Sequence, residues 1–219
     1  MSAEIINGRQ IAKKIRSDIS KKVESLKSKY DISPNITTIK IGDDPSSNLY
    51  LKLRTNACKE VGINTNIIDF DEDVTEAEVV EAISKLNNDK SVHGIFVQFP
   101  IPNHISADRL INSMNPLKDI EGLHPVNLGK TMLGDEFLVP ITPLSVLTIL
   151  DYIGVDLKGK DVLIVNHSNI VGKPLAILLL NRNATISICH VFSKDMKRYS
   201  KDADILITAA GVEKLIKKE

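Results

Sequence analysis

Apolar positions in the first half of the chain alternate between helical and strand spacing. Residues 9–29 carry isoleucine, valine and leucine every three or four positions, which predicts an amphipathic helix. The β-branched run 36–41 and the run 65–70 predict strands. The run 94–99 is apolar except for one glutamine, which predicts a strand covered on both faces. Helices are expected between these strands, over 45–61 with Ser46 as N-cap and over 76–86.

The second half of the chain repeats this order. Thr142 as N-cap and Pro143 at the first helical position predict a helix that runs to about Tyr152. Because strands that alternate with helices form parallel β-α-β units, the pattern predicts an α/β fold. The remaining elements are strands over 161–165, 185–189 and 204–208, and a helix from Pro174 to Leu180.

A polar stretch rich in proline and glycine, residues 116–137, separates the two halves. It places a domain boundary near Pro140, with one domain over 1–140 and a second over 141–219. The second domain has three clear strands, so the prediction is two parallel-sheet domains, the C-terminal one an incomplete Rossmann fold with an unpaired strand edge.

Composition narrows the class of protein. The 219 residues carry 28 basic and 28 acidic side chains, so there is no global attraction to nucleic acid or to an anionic membrane. No apolar run approaches the roughly 18 residues that span a membrane, and the first residues lack the apolar core of a signal peptide. Two cysteines and five histidines without paired ligand spacing predict no metal site. We expect a cytoplasmic protein.

The strand over 161–165 is followed by a tight loop and a helix, the order in which α/β sheets hold a dinucleotide phosphate. Asn166 stands where the first glycine is usual, and asparagine tolerates positive φ better than most residues. The next strand ends at residues 189–193 without a carboxylate for an NAD ribose or an arginine for an NADP phosphate. A nucleotide site and an ordinary turn both fit the pattern.

Three polar or aromatic side chains in the first half are candidates for chemistry. Tyr50 and Arg54 are four residues apart and share one helix face, a spacing that by itself favours a surface pair over a site. Gln98 lies near the carboxyl end of an apolar strand, where parallel sheets bind ligands and where a buried amide also needs a partner.

Six motifs follow one another in a recognisable order. They are GDDPSSNLYLKLRTNACKEVGI, VHGIFVQFPIPNHI, NPLKDIEGLHPVNLG, FLVPITP, VLIVNHSNIVGKPLAILLLNRNATISICH and ADILITAAG. Together they resemble the bifunctional methylenetetrahydrofolate dehydrogenase/methenyltetrahydrofolate cyclohydrolase family. The resemblance implies two α/β domains separated by a cleft, a tetrahydrofolate substrate, NADP or occasionally NAD as cofactor, and a homodimer. It implies oxidation of 5,10-methylenetetrahydrofolate and hydrolysis of the methenyl product to 10-formyltetrahydrofolate.

The resemblance also assigns residues. Tyr50 would pack on the pterin-side ring system, Gln98 would assist the substrate and the central lysine, and Pro100 would line the substrate site. The phosphate loop falls on Asn166, His167 and Ser168, and Val191 occupies a further cofactor position.

Among the substitutions that distinguish this chain from the family pattern, two fall on residues that the resemblance assigns to the substrate site. The family's catalytic lysine is Arg54 here, and arginine stays protonated at neutral pH and cannot cycle a proton. The pterin-binding aspartate is Glu121, one methylene longer. Arg54 would therefore impair the cyclohydrolase more than the dehydrogenase.

The sequence also stops before a further strand and a closing helix that the resemblance implies. That would impair the dehydrogenase more, so the two departures point in opposite directions. An alternative is a folate-binding or interaction homologue without turnover.

Overall fold

The structure is a computed structural model that describes residues 3–217. The chain divides into two compact units, the first ending at Ile120 and the second beginning at Glu121. The sequence predicts a boundary near Pro140, whereas the segment before Pro140 packs within the second unit. There Asn181 donates to the Thr131 carbonyl and Arg182 pairs with Glu136.

The first unit is built on a parallel three-stranded sheet in the order β2-β1-β3. Apolar side chains of this sheet and of the third helix form its core, among them Ile39, Ile83 and Ile95, which are fully buried. All four residues of β3 are buried, as predicted for a strand covered on both faces. The elements are α1 (Gly8–Tyr30), β1 (Asn35–Ile41), α2 (Pro45–Glu60), β2 (Asn64–Phe70), α3 (Glu76–Asn88), β3 (Gly94–Val97) and α4 (Ala107–Ser113).

The end of the first unit is fastened to its sheet. Asp119 is fully buried and forms a parallel bridge with Ile95 of β3. Lys118 donates through Nζ to the carbonyls of Leu86 and Asp89, at 2.7 Å each, and so caps the last turn of α3.

The second unit has the same plan, with a parallel sheet in the order β5-β4-β6. Leu147, Ile164 and Leu175 belong to the core between this sheet and its helices. The predicted α/β class, with two parallel-sheet units, is confirmed. The elements are α5 (Pro125–Met132), α6 (Ile141–Tyr152), β4 (Asp161–Val165), α7 (Gly172–Leu180), β5 (Thr185–Cys189), α8 (Met196–Lys201) and β6 (Ile205–Thr208).

Two predicted helix starts are wrong. Asp44, not Ser46, is the N-cap of α2: its carboxylate accepts from the Ser47 amide at 2.7 Å, and Pro45 occupies the first helical turn. The helix predicted to begin after Thr142 begins at Ile141 instead, with Pro140 at its N-cap and no side-chain cap. Pro143 falls in the first turn of α6, where the missing N–H of proline costs no hydrogen bond within the helix.

The backbone at residue 122 requires glycine. Its φ is +69°, and a Cβ there would lie 2.4 Å from the backbone carbon of Val139. A side chain at this position would meet both backbone strain and a clash. Within residues 3–217, none of the helices is sufficiently long and apolar to cross a membrane.

Candidate active site

In each sheet the first strand of the unit lies in the centre, and the next two strands of the unit lie on opposite sides of it. The place where the strand order reverses in this way is called the switch point. In β2-β1-β3 this point lies between the carboxyl ends of β1 and β3, and in β5-β4-β6 it lies between those of β4 and β6. Open α/β sheets bind ligands in the crevice at such points. The candidate residues of each unit lie at or near these strand ends.

Arg54 is fixed against the sheet of the first unit. Its guanidinium carbon lies 3.6 Å from the centroid of the Phe96 ring, and its Nη2 donates to Thr38 Oγ1 at 2.5 Å. Thr38 and Phe96 are register partners on β1 and β3 and both are buried. Stacking over an aromatic ring contributes about 0.5–2 kcal/mol, so the cation is held in one place.

Tyr50 lies one turn before Arg54 on α2, with its ring centroid 5.9 Å from the guanidinium carbon. The residue is 50% exposed, and the neighbouring Leu49 and Leu53 are exposed too. Tyr50 and Arg54 therefore form more than a surface pair, because the arginine half of the pair reaches the sheet while the tyrosine ring remains accessible.

Gln98 follows β3 and is 7% exposed. Its Nε2 donates to the Phe99 carbonyl at 2.8 Å, and Ser47 Oγ of α2 donates to the same oxygen at 3.0 Å. The Gln98 side chain thus lies beside the first turn of the helix that carries Tyr50 and Arg54. Its Oε1 is buried and accepts no hydrogen bond from any residue within 3–217.

A polar atom so placed needs a donor, because leaving a buried acceptor unsatisfied costs about 1–3 kcal/mol. Buried side-chain oxygens in proteins almost always have a partner. Gln98 Oε1 is therefore suited to accept an N–H from a ligand.

Pro100 is exposed and lines an open groove of about 920 Å³ at the carboxyl ends of the strands of the first unit. Carboxylates of Asp43, Asp44 and Glu72 line the same groove, whereas Tyr50, Arg54 and Gln98 do not. Hydrogen bonds lower the pKa of two of these carboxyls: Asp43 accepts chiefly from the Asn48 amide and Asp44 chiefly from the Ser47 backbone. Pro100 is thus the one predicted substrate residue of the first unit that opens on this groove.

One turn after Arg54, burial raises the pKa of the Cys58 thiol, and the positive charge of Arg54 opposes that shift. Glu121, the remaining predicted substrate residue, is the first residue of the second unit and is half-buried.

In the second unit, Asn166 directly follows β4. Its Oδ1 accepts from the amides of Ser168 at 2.8 Å and Gly172 at 3.0 Å, and its Nδ2 donates to the Ala209 carbonyl at 2.9 Å. Among the described residues, positive φ outside glycine occurs at Asp31, Asn183 and Lys214, so Asn166 does not use the left-handed region that asparagine tolerates. The carboxamide, not an unusual backbone angle, shapes this turn.

His167 and His190 follow β4 and β5, and their ring centroids lie 4.7 Å apart. His190 Nδ1 accepts from the Phe192 amide at 3.2 Å, which leaves Nε2 of the neutral ring as a donor. Ser168 Oγ accepts from the Val171 amide, and Val191 is 87% exposed. Within residues 3–217, no group of three or more histidine, cysteine or acidic side chains is arranged to hold a metal ion.

Sequence reasoning did not identify Thr38, Phe96 or Ser47 as part of the site. A threonine buried in a strand is a signal for Thr38, but its meeting with Arg54 depends on the pairing of β1 with β3. Strand order is a tertiary property that periodicity does not contain.

Two family models match the chain. One, described as the catalytic domain of tetrahydrofolate dehydrogenase/cyclohydrolase, matches residues 6–121. The other, described as the NAD(P)-binding domain of the same family, matches residues 140–219.

Curated proteins and solved structures agree with these matches. The chain is 45% identical over 218 residues to the bifunctional protein FolD of Methanococcoides burtonii, covering 100% of this chain and 76% of that protein. A FolD crystal structure from Campylobacter jejuni is 42% identical with a TM-score of 0.94, covering 96% of this chain and 74% of that one. The Trypanosoma brucei enzyme complexed with NADP and an inhibitor is 30% identical with a TM-score of 0.92, covering 97% and 73%.

Proposed function

The chain belongs to the tetrahydrofolate dehydrogenase/cyclohydrolase family, and from that premise we propose the reactions it catalyses. It oxidises 5,10-methylenetetrahydrofolate with NADP and hydrolyses the 5,10-methenyl product to 10-formyltetrahydrofolate. The observation that carries this proposal is the position of Tyr50, Arg54 and Gln98 around α2 and the end of β3.

The folate side of the proposal rests on four residues. The accessible face of Tyr50 packs on the pterin-side ring system, and the buried Gln98 Oε1 accepts an N–H of the substrate. Glu121 is assigned to the pterin by its place in the family motif, where its side chain is one methylene longer than the usual aspartate. Pro100 contributes an apolar surface at the strand ends.

The cofactor side rests on the loop after β4. The loop carries Asn166, His167 and Ser168. Of these, Asn166 and His167 directly follow β4 and lie at the switch point of the second sheet. The residues present fit a dinucleotide phosphate: imidazole donors of His167 and His190 lie side by side, and no carboxylate follows β5 within residues 189–193. Val191 adds exposed apolar surface but no polar group.

Held by the loop after β4, NADP would supply the hydride acceptor for the methylene carbon, so the residues of the chain need only align the two reactants. Alignment of that kind can supply a large part of the barrier reduction without any proton shuttle. Tyr50 and Gln98 orient the folate for this step. Arg54 has no proton to transfer in it.

The ring-opening step requires proton transfers, and Arg54 limits the rate at which this chain can carry them out. A guanidinium stays protonated at neutral pH, and this one is stacked on Phe96 and bonded to Thr38. It donates hydrogen bonds and stabilises developing negative charge, but it does not act as a base. We therefore expect the dehydrogenase to exceed the cyclohydrolase in this chain.

We further propose a homodimer in the cytoplasm. Among the described residues, β5 and β6 are the edges of a three-stranded sheet, and exposed strand edges favour pairing with a second chain. Size-exclusion chromatography with light scattering tests this: a mass of two chains is expected, and a monomer at micromolar concentration contradicts it.

Two assays test the catalytic proposal on the full chain. The first follows NADPH formation from 5,10-methylenetetrahydrofolate, and the second follows loss of 5,10-methenyltetrahydrofolate without nucleotide. Turnover in the first assay at about 1 s⁻¹ or more, an ordinary enzyme rate, supports the proposal. A chain that binds folate but turns over in neither assay contradicts it and is a binding homologue.

A further inference from the structure

Asn166 connects the two strand ends that flank the switch point of the second sheet. It directly follows β4, and its Nδ2 donates to the carbonyl of Ala209, which directly follows β6. The crevice between such strand ends is where open α/β sheets bind dinucleotides. This side-chain bond adds to the backbone pairing of the same strand ends, where the Ala209 amide donates to the Val165 carbonyl at 3.3 Å.

The other end of the same carboxamide holds the loop. Oδ1 accepts from the amides of Ser168 and of Gly172, the first residue of α7. In a glycine-rich turn, backbone freedom lets the chain bend at this point. Here three hydrogen bonds from one side chain bring the loop, the start of α7 and the end of β6 together.

Gly172 lies so close to Asn166 that no larger residue fits at this position. A Cβ there would lie 2.1 Å from the carbonyl oxygen of Asn166 and 2.8 Å from its Oδ1. Contacts below 3.0 Å of a Cβ with backbone atoms require a shift of the chain. The start of α7 thus fits closely against Asn166, independently of the hydrogen bonds.

We propose that Asn166 is the positioning residue of the cofactor loop, a side-chain substitute for the first glycine of a dinucleotide turn. The inference rests on the proposed function, in which this loop receives NADP. The amides of His167, Asn169 and Ile170 make no hydrogen bond to a residue within 3–217. With Ser168 and Gly172 engaged by Asn166, those three amides are the ones left to donate to a phosphate.

The opposite arrangement is that the carboxamide competes with the pyrophosphate for the amides of Ser168 and Gly172. The two possibilities predict opposite signs for the same substitution. If Asn166 positions the loop, removing its side chain weakens cofactor binding. If it competes, removing the side chain strengthens cofactor binding.

The test compares Asn166→Ala, Asn166→Gly and Asn166→Asp with the parent chain, with Asn88→Ala as a matched control. Asn88 Nδ2 makes one local bond, to the Ser84 carbonyl of α3, far along the sequence from the loop. Far-UV circular dichroism first checks that each variant is folded. Two quantities are then measured: amide hydrogen exchange without cofactor, and the Kd for NADPH by fluorescence titration.

For the alanine and glycine variants we expect exchange at Ser168 and Gly172 to rise about tenfold or more, and the Kd for NADPH to rise by a similar factor. Asn166→Asp keeps both accepted bonds, so exchange at these two amides stays near the parent value. It loses the bond to Ala209 and places a carboxylate beside the pyrophosphate, so NADPH binds more weakly than in Asn166→Ala and the loss grows at low salt.

NADPH binding that is equal or tighter in Asn166→Gly, or unchanged exchange at Ser168 and Gly172, overturns the proposal. Failure of the proposed function gives a different result. A parent chain that binds neither NADPH nor NADH contradicts the cofactor assignment, whereas the exchange measured without cofactor still decides whether Asn166 holds the loop.

Discussion

The guanidinium of Arg54 stacks on the ring of Phe96, with 3.6 Å between the guanidinium carbon and the ring centroid. The ring belongs to a buried strand, so the position of the charge is set by the sheet and not by the exposed face of α2. An arginine held in this way is a fixed electrostatic group. It is unsuited to the proton transfers that ring opening requires.

Arg54→Lys should raise the cyclohydrolase relative to the dehydrogenase. Lysine can lose and regain a proton when its surroundings lower its pKa, and general acid–base groups contribute about 10²–10⁴-fold in rate. We expect the ratio of the two activities to rise by about tenfold or more, measured with the two assays described above. Arg54→Ala is the control: a cyclohydrolase that survives this change unaltered would show that residue 54 has no part in it.

Thr38→Val should misplace Arg54 with little change in packing. Valine has nearly the shape of threonine but accepts no hydrogen bond from the guanidinium. We expect kcat of the cyclohydrolase to fall several-fold, because the guanidinium that stabilises developing negative charge is no longer held in place, while the free energy of unfolding changes by about 1 kcal/mol. Thr37→Val is the matched control, because Thr37 is equally buried but its side chain points to the other face of β1. Equal losses in both variants would argue against a role for the bond to Arg54.

Gln98→Met should separate stability from substrate binding. Methionine fills a similar volume, loses the bond from Nε2 to Phe99 and removes the buried, unpartnered Oε1. These effects oppose each other, so the free energy of unfolding should change by no more than about 1 kcal/mol. KM for the folate should rise about tenfold or more, because the substrate loses an acceptor. A large loss of stability with unchanged KM would mean that Gln98 acts only in packing.

The start of α2 should weaken in acid through Asp44. Its carboxylate accepts from the Ser47 amide, which lowers the pKa of Asp44 below its ordinary value. A depressed pKa in the folded state contributes stability that is present above the unfolded pKa and is lost as pH falls through the folded one. Asp44→Asn keeps an accepting oxygen but does not titrate.

Thermal unfolding followed at pH 7 and at successive values below pH 4 tests this. The parent should lose more of its Tm over the acid range than Asp44→Asn, with the two nearly equal near neutral pH. Identical acid profiles would show that the N-cap of α2 does not contribute to acid sensitivity.

The sequence predicts the elements with strong periodicity and misses the short ones. The spacing of apolar residues in α1 and the β-branched runs of β1 and β4 predict structure close to that observed. Helix α5 lies in the polar stretch and begins with Pro125, so proline there marks a first helical turn and not a break.

The sequence likewise predicts some features of the candidate site and misses others. Tyr50 and Arg54 can be placed on one helix face from their spacing alone. What Arg54 touches depends on which strands pair, and the shape of the loop after β4 depends on where one carboxamide points. Both are properties of the folded chain, and neither follows from local propensity.

Lys118 has a consequence for chemical labelling. Its ammonium group spans the carbonyls of Leu86 and Asp89, so an acylating reagent must break two hydrogen bonds before it reaches the nitrogen. Lys85, whose side chain is largely exposed, is held only by a surface ion pair with Glu81, which is a weaker barrier. When the acylation of each lysine is followed over time, the rate at Lys118 reports how often the carboxyl end of α3 opens. Acylation of Lys118 therefore measures whether the first unit is intact.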